Sequence, residues 1–204
     1  MDVEWWEYIV YLIFIVVVVY AAYAFYEKMG FQLKCVVSDV NGTKYCVRDR
    51  NKVKDAVNLL ARTTENCKKL IEHLKTKYEG QNDYRVERLA SKFNPDKIME
   101  TLPTSQYTAY SENKGEKLAL CLNADKKGDE GNDKLIDEHT LMFVALHELS
   151  HIATKSIGHK TDFWDNFKFL LQEAEDAGIH KPKDYSSEGS AEYCGMEIKD
   201  NPYF

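Results

Sequence analysis

The residues best equipped to do chemistry are His147-Glu148-Leu149-Ser150-His151. On a helix, positions i and i+4 share one face about one turn apart, so both imidazoles can reach a single ion. Glu148 is adjacent in sequence and leans past such an ion toward its water. From Thr140 to Thr154 the only ionisable residues are His147, Glu148 and His151, set among Leu, Met, Phe, Val, Ile and Ala. A helix that apolar is buried, and burying an unpaired carboxylate is expensive. Three polar groups clustered on it need a shared partner, which a divalent cation supplies. One Zn2+ per chain is the expected cofactor.

A catalytic zinc takes three protein ligands and keeps one position open for water. His159 is the expected third ligand, because Gly158 can end the helix and turn the chain back over the same face. Glu173 and Glu175 are the alternatives, and His73, His139 and His180 read as bystanders. Glu148 is the expected general base, taking a proton from water and passing it to the leaving amine. Tyr185 or Tyr193 could stabilise the oxyanion. An edge strand at 117–122 could hold an extended peptide by strand addition. Met196 reads as core, or as an apolar floor under the metal. The competing expectation is a non-catalytic membrane or virion structural protein whose zinc only stabilises the fold. A purely structural site usually has four closed protein ligands and no use for Glu148. A small-amide or peptidoglycan hydrolase would use the same chemistry on another substrate.

His147–His151, followed by Gly158-His159 and Phe163-Trp164, resembles the zinc-site signature of the WLM and SprT-like metallopeptidases. The stretch Gly158-His159-Lys160-Thr161-Asp162-Phe163 is similar to the SprT-like Gly-His-Gly-x-x-Phe element, with Lys160 in place of the second glycine. The resemblance covers about residues 107–177 and implies a zincin-like metallopeptidase domain acting on a protein or peptide substrate. The whole layout is also similar to membrane-anchored proteins of large DNA viruses.

The elements that must position these residues are legible in outline. The fold class expected is α+β and mainly helical, with short β-hairpins. One hairpin is read over 31–50, with a two-residue turn at Asn41-Gly42. Apolar or near-apolar residues at 53, 57, 60, 67, 71, 74 and 78 predict a long core-packing helix interrupted only by Thr64. A shorter helix covers 84–93 and stops before Asn94-Pro95. A second hairpin surrounds Glu112-Asn113-Lys114-Gly115, and an exposed loop runs from Asp125 to Lys134. The site helix spans about 137–156. An amphipathic helix bearing Phe163, Phe167, Leu170, Leu171 and Ala174 ends near Gly178. The tail 181–204 is irregular by pattern.

Residues 8–26 carry no charge and make a helix of about 29 Å, close to the hydrocarbon thickness of a bilayer. Trp5, Trp6, Tyr8, Tyr23 and Tyr26 read as interfacial belts. The expected organisation is therefore an anchor over 1–28 and a metallopeptidase domain over 29–204. Asp2, Glu4 and Glu7 precede the segment, whereas Lys28, Lys34 and Lys44 follow it. By the positive-inside rule this predicts a single-pass protein with its N-terminus outside and its domain cytoplasmic or virion-internal.

The formal net charge of −6, with both signs mixed along the chain, gives no strong nucleic-acid signal. The five cysteines include no CxxC pair. The two-residue turn would set Cys35 opposite Arg48, diagonal to Cys46, so free thiols in a reducing compartment are expected.

Overall fold

The computed structural model describes residues 5–29, 33–125 and 134–204. It divides into two units, Met1–Gln32 and Leu33–Phe204. The first contains helix α1 (Trp5–Met29). Its stretch Trp5–Ala24 has a mean hydropathy of 2.1 and no buried residue, so it is long and apolar enough to cross a membrane. Trp5, Trp6, Tyr8 and Tyr23 are all exposed. The side chains of Tyr26 and Lys28 lie outside what the structure describes.

The second unit is built on one five-stranded sheet in the order β1-β2-β3-β5-β4. The strands are β1 (Leu33–Val37), β2 (Lys44–Arg48), β3 (Ile98–Glu100), β4 (Ala109–Glu112) and β5 (Lys117–Leu120). The β1/β2 and β4/β5 hairpins are antiparallel, and β3 joins them by pairing parallel to both β2 and β5. The two expected hairpins are thus halves of a single mixed sheet. The joining strand is only three residues long, too short for an alternation pattern to reveal it.

Helix α2 (Val53–Lys77) crosses over between β2 and β3 and packs on the sheet. Its apolar stripe is continuous, because Thr64 is buried and satisfies its hydroxyl on the Leu60 carbonyl at 2.8 Å. Helix α3 (Tyr84–Lys92) starts at the Asp83 cap and ends before Asn94, which caps a 3-10 turn over Pro95–Lys97. Helix α4 (Glu138–Ala153) runs under β4 and β5, with α3 and α5 (Thr161–Asp176) against it. Gly178, at φ +66°, closes α5, as the sequence suggests. The expected exposed loop at 125–134 falls mostly on residues 126–133, outside the described residues.

The structure departs from the sequence expectations at four places. The first hairpin has a four-residue loop in place of the two-residue turn. Ser38 N donates to Thr43 O at 2.9 Å, Gly42 N to Ser38 O at 3.0 Å, and Asn41 Oδ1 accepts from Thr43 N at 3.1 Å. This moves the register by two, so Cys35 stands directly opposite Cys46 and the two form a disulfide. A second disulfide joins Cys121 to Cys194, leaving Cys67 buried as the free thiol. The argument for a cytoplasmic domain from reduced cysteines therefore falls. The exposed edge of the sheet beside α4 is β4, since β5 is covered on both sides by β3 and β4. Finally, the tail is irregular over 181–190 and 199–204, as expected, but β6 (Ala191–Tyr193) and β7 (Met196–Ile198) form a hairpin about Cys194 and Gly195. Its turn is held by Cys194 N to Asn123 O at 3.1 Å and Gly195 N to Ala124 O at 2.7 Å.

Candidate metal centre

Helix α4 is fixed at both ends. Asp137 caps its start, accepting from Thr140 N at 2.8 Å and from Thr140 Oγ1 at 2.7 Å. Its last carbonyls are met by Arg88 and Lys114. The helix ends at Ala153, sooner than the apolar run suggests, because Thr154 leaves helical geometry and returns its hydroxyl to Ser150 O at 2.6 Å.

His147 and His151 present their rings from one face of α4. The chain turns at Gly158, φ +79°, and brings His159 onto them. His159 Nε2 lies 3.0 Å from His147 Nε2 and 3.1 Å from His151 Nε2. All three ligand atoms fall within 4.8 Å of one another. Phe163 is buried against all three imidazoles, with ring centroids 4.9, 4.4 and 4.6 Å from His147, His151 and His159. Trp164 covers His159 from the side, at 5.7 Å.

Desolvation sets the electrostatics. Burial, followed by the neighbouring imidazoles, lowers the His147 pKa to about 3. Burial, then the charges of His159 and Lys114, lowers His151 to about 4. Burial lowers His159 as well. Neutral imidazole is the form that binds a metal. Glu148 is only 4% exposed. Burial pushes its carboxyl up to about 8, against a backbone N–H bond from Ser111 that pulls it down. Its Oε2 has no hydrogen-bond partner in the protein, and neither does the Ser111 hydroxyl beside it.

These residues floor a cleft of about 660 Å3. Tyr107–Ser111 form one wall, and Met196–Asp200 with Pro202 form another. Tyr193 reaches the cleft, but its hydroxyl is committed: it accepts from Cys121 N at 3.0 Å and donates to Thr108 O at 3.3 Å. Tyr185 lies elsewhere, buried edge-on against Phe143 at 5.1 Å. The structure thus brings no free hydroxyl of Tyr185 or Tyr193 into the cleft. Met196 is 53% exposed in the cleft wall, so it is not core. Glu173 is taken by Lys77 at 2.8 and 2.9 Å and by the Tyr78 hydroxyl at 2.8 Å, and Glu175 by Tyr203, so the carboxylate alternatives to His159 are occupied elsewhere. His139 and His180 stack on each other at 4.3 Å, and His73 lies 3.4 Å from Glu173. Sequence reasoning missed Ser111, whose contribution is a backbone N–H, and Arg88, which carries no local signal. Lys114 was visible only as a turn residue.

Fold and site together define a mixed α/β domain with an open three-histidine cleft and a buried glutamate. No known protein-family profile matches the chain. It is similar to protein R325 of Acanthamoeba polyphaga mimivirus, 29% identical over 168 residues, or 81% of this chain and 82% of that one. It is also similar to protein 136R of Invertebrate iridescent virus 6, 36% identical over 61 residues, and to protein 042R of Invertebrate iridescent virus 3, 38% identical over 55 residues. The 136R match covers 30% of this chain and 33% of that one, and the 042R match 27% and 35%. Among solved structures, Wss1 from Saccharomyces cerevisiae aligns with a TM-score of 0.42 and 19% identity, over 65% of this chain and 89% of that one.

Proposed function

We propose that the chain is a membrane-anchored zinc endopeptidase, with His147, His151 and His159 as ligands and Glu148 as general base. The observation that carries this is the convergence of three desolvated imidazole nitrogens beside a buried carboxylate, at the floor of an open cleft. The donor set fits the ion. Tetrahedral zinc with Zn–N of about 2.0–2.1 Å separates its ligand atoms by about 3.3 Å; the two separations from His159, 3.0 and 3.1 Å, are close to that, and all three atoms lie within 4.8 Å. Three protein nitrogens also leave the open position that a catalytic site needs.

When bound, zinc supplies a Lewis acid for the scissile carbonyl and acidifies water. The chain supplies the rest. Glu148 Oε2, free of protein partners, accepts the proton of the attacking water and delivers it to the leaving nitrogen. A carboxyl whose affinity for protons lies near neutrality suits both steps. Strand β4 offers the substrate a backbone edge. Cys121 N donates to Thr108 O, so ladder alternation turns residues 108, 110 and 112 toward β5 and residues 109 and 111 outward. The N–H and C=O of Ala109 and the C=O of Ser111 are then free to pair with an extended peptide. The domain carrying this centre is of the zincin-like type.

The bilayer is the proposed partner of residues 8–26. The lysines after the segment favour a cytoplasmic or virion-internal domain, while the two disulfides favour an oxidising side. Protease protection of the membrane-inserted chain decides between them.

The test is zinc content of the full chain in detergent micelles after dialysis, followed by Glu148→Gln on denatured-protein substrates. About one zinc per chain is expected. The variant should keep its metal and lose cleavage. A folded sample holding no zinc sinks the proposal, and a Glu148→Gln variant as active as its parent reduces the centre to a structural one.

A further inference from the structure

The segment leaving His151 must exit one helix and return an imidazole to the same point at His159. Helix α4 stops at Ala153 and α5 begins at Thr161. Along this link, Nζ of Lys114 donates to three backbone carbonyls: His151 O at 3.1 Å, Thr154 O at 3.1 Å and Ser156 O at 2.6 Å. An ammonium has three donors, so all are spent on this one stretch of chain. Arg88 meets the interleaved carbonyls, with Nε 3.0 Å from both Ile152 O and Ala153 O and a terminal nitrogen 3.0 Å from Thr154 O. Helix C-terminal carbonyls lack intrahelical partners and carry partial negative charge, so two cations suit them.

Ser156 is the last residue held in this way, its hydroxyl also donating to Asp162 Oδ1 at 2.7 Å. Beyond it Ile157 is 83% exposed, and a Cβ on Gly158 would meet nothing within 4 Å. The position of His159 is therefore dictated by where Ser156 is pinned and where α5 starts. Lys114 is itself held rigidly. Asn113 and Lys114 have φ of +48° and +59°, and Asn94 N donates to Gly115 O at 3.2 Å. The β4–β5 turn is thus wedged between the end of α3 and the end of α4.

We propose that Lys114 is a positioning residue of the metal centre: its ammonium pins the His151–Ser156 backbone and so sets where His159 presents its nitrogen. This rests on the zinc-centre reading above. Lys114 also lines the cleft, but it is not a ligand, and the effect proposed here passes through backbone carbonyls.

The experiment uses the full chain in detergent micelles, loaded with Co2+ in place of zinc. Visible absorption reports coordination geometry, and chelator competition reports affinity. Lys114→Met keeps the aliphatic stem and removes every donor. Its metal affinity is expected to fall about 10–100-fold, the usual effect of removing an outer partner of a metal site. Its cobalt spectrum should move toward that of His159→Ala while the far-ultraviolet circular dichroism stays unchanged. Should Lys114→Met not fold, Lys114→Gln, which reaches fewer carbonyls, is read by the same two signals. A variant with lowered thermal stability but parental affinity and spectrum overturns the proposal, leaving Lys114 a structural residue only. A parent chain that binds no cobalt defeats the metal centre itself, an outcome distinct from equal binding by parent and variant.

Discussion

The backbone N–H of Ser111 donates to the carboxylate of Glu148, so the edge strand β4 and the site helix α4 are joined at the proposed general base. The bond orients the carboxyl, leaves Oε2 to the cleft, and opposes the rise in pKa that burial imposes. Ser111→Pro, compared with Ser111→Ala to discount the lost hydroxyl, removes that donor and spares the ladder, because residue 111 turns its N–H away from β5. A hydrogen bond to a charged acceptor contributes about 1.5–3 kcal/mol. We predict a peptidase rate about 10–100-fold lower with zinc content unchanged, read by steady-state kinetics and elemental analysis. A variant as active as its parent would show that the bond does not orient Glu148.

Acid should destabilise the metal-free protein. His147 is lowered to about 3, and His151 and His180 to about 4, each by burial first. The unfolded chain takes up these protons below about 6.5 and the folded chain refuses them, so stability falls as pH drops from there toward 4. Glu148 acts in the opposite sense. Its carboxyl is raised to about 8, so its contribution is whole below the unfolded value of about 4.3 and is lost as pH climbs through 8. A cation beside the ionised carboxylate offsets that loss. Calorimetry with zinc and with chelator should therefore show a gap in melting temperature that widens from pH 6 to pH 9. A constant gap would contradict the placing of Glu148 beside the metal.

The Cys121–Cys194 disulfide closes a sequence separation of 73 residues, against 11 for Cys35–Cys46. In the chain-entropy account these are worth about 4 and about 3 kcal/mol. The paired substitution Cys121→Ser with Cys194→Ser is expected to be the more damaging in denaturant titrations. It should also loosen the β6–β7 wall of the cleft, so its kinetic effect should fall on KM more than that of Cys35→Ser with Cys46→Ser. Peptide mapping without reductant tests the two pairings directly.

Gly115 sits at φ +116°, and a Cβ there would come within 2.6 Å of the Lys92 carbonyl oxygen and 3.1 Å of Ile152. Neither backbone nor a packed isoleucine gives way cheaply. Gly115→Ala should cost about 1–3 kcal/mol, seen as a lower denaturation midpoint. A neutral result would mean that the turn is not wedged between α3 and α4.

Several features were legible because they are local. The spacing of His147 and His151 places two imidazoles on one helix face whatever the helix packs against. The stripes of α2 and α5 follow from helical period, and Gly158 and Gly178 mark the turns because glycine enters positive φ at little cost. Asn94-Pro95 announces the end of α3, because the residue before a proline disfavours helical geometry. Where inference failed, the deciding contact was distant or the loop was ambiguous. Asn41-Gly42 fits a two-residue turn, yet Ser38 and Asn41 side chains bond a four-residue loop, and that two-residue shift moved Cys35 opposite Cys46. Spacing also cannot show that the Tyr193 hydroxyl bonds Cys121 and Thr108, 72 and 85 residues away.

The sequence by itself determined a chemical kit: two histidines and a glutamate on a buried helix, a third histidine after a glycine, and an apolar segment near the N-terminus. Only the tertiary structure decided how that kit is mounted. It made β4 the open edge, paired the cysteines, folded the tail into a wall, and brought Arg88 and Lys114 to the end of α4. The physical reason is range. Helical period and turn chemistry act over a few residues and are written in spacing, whereas a contact such as Lys114 to Ser156 spans 42 residues and exists only once the sheet and helices have closed around a common core.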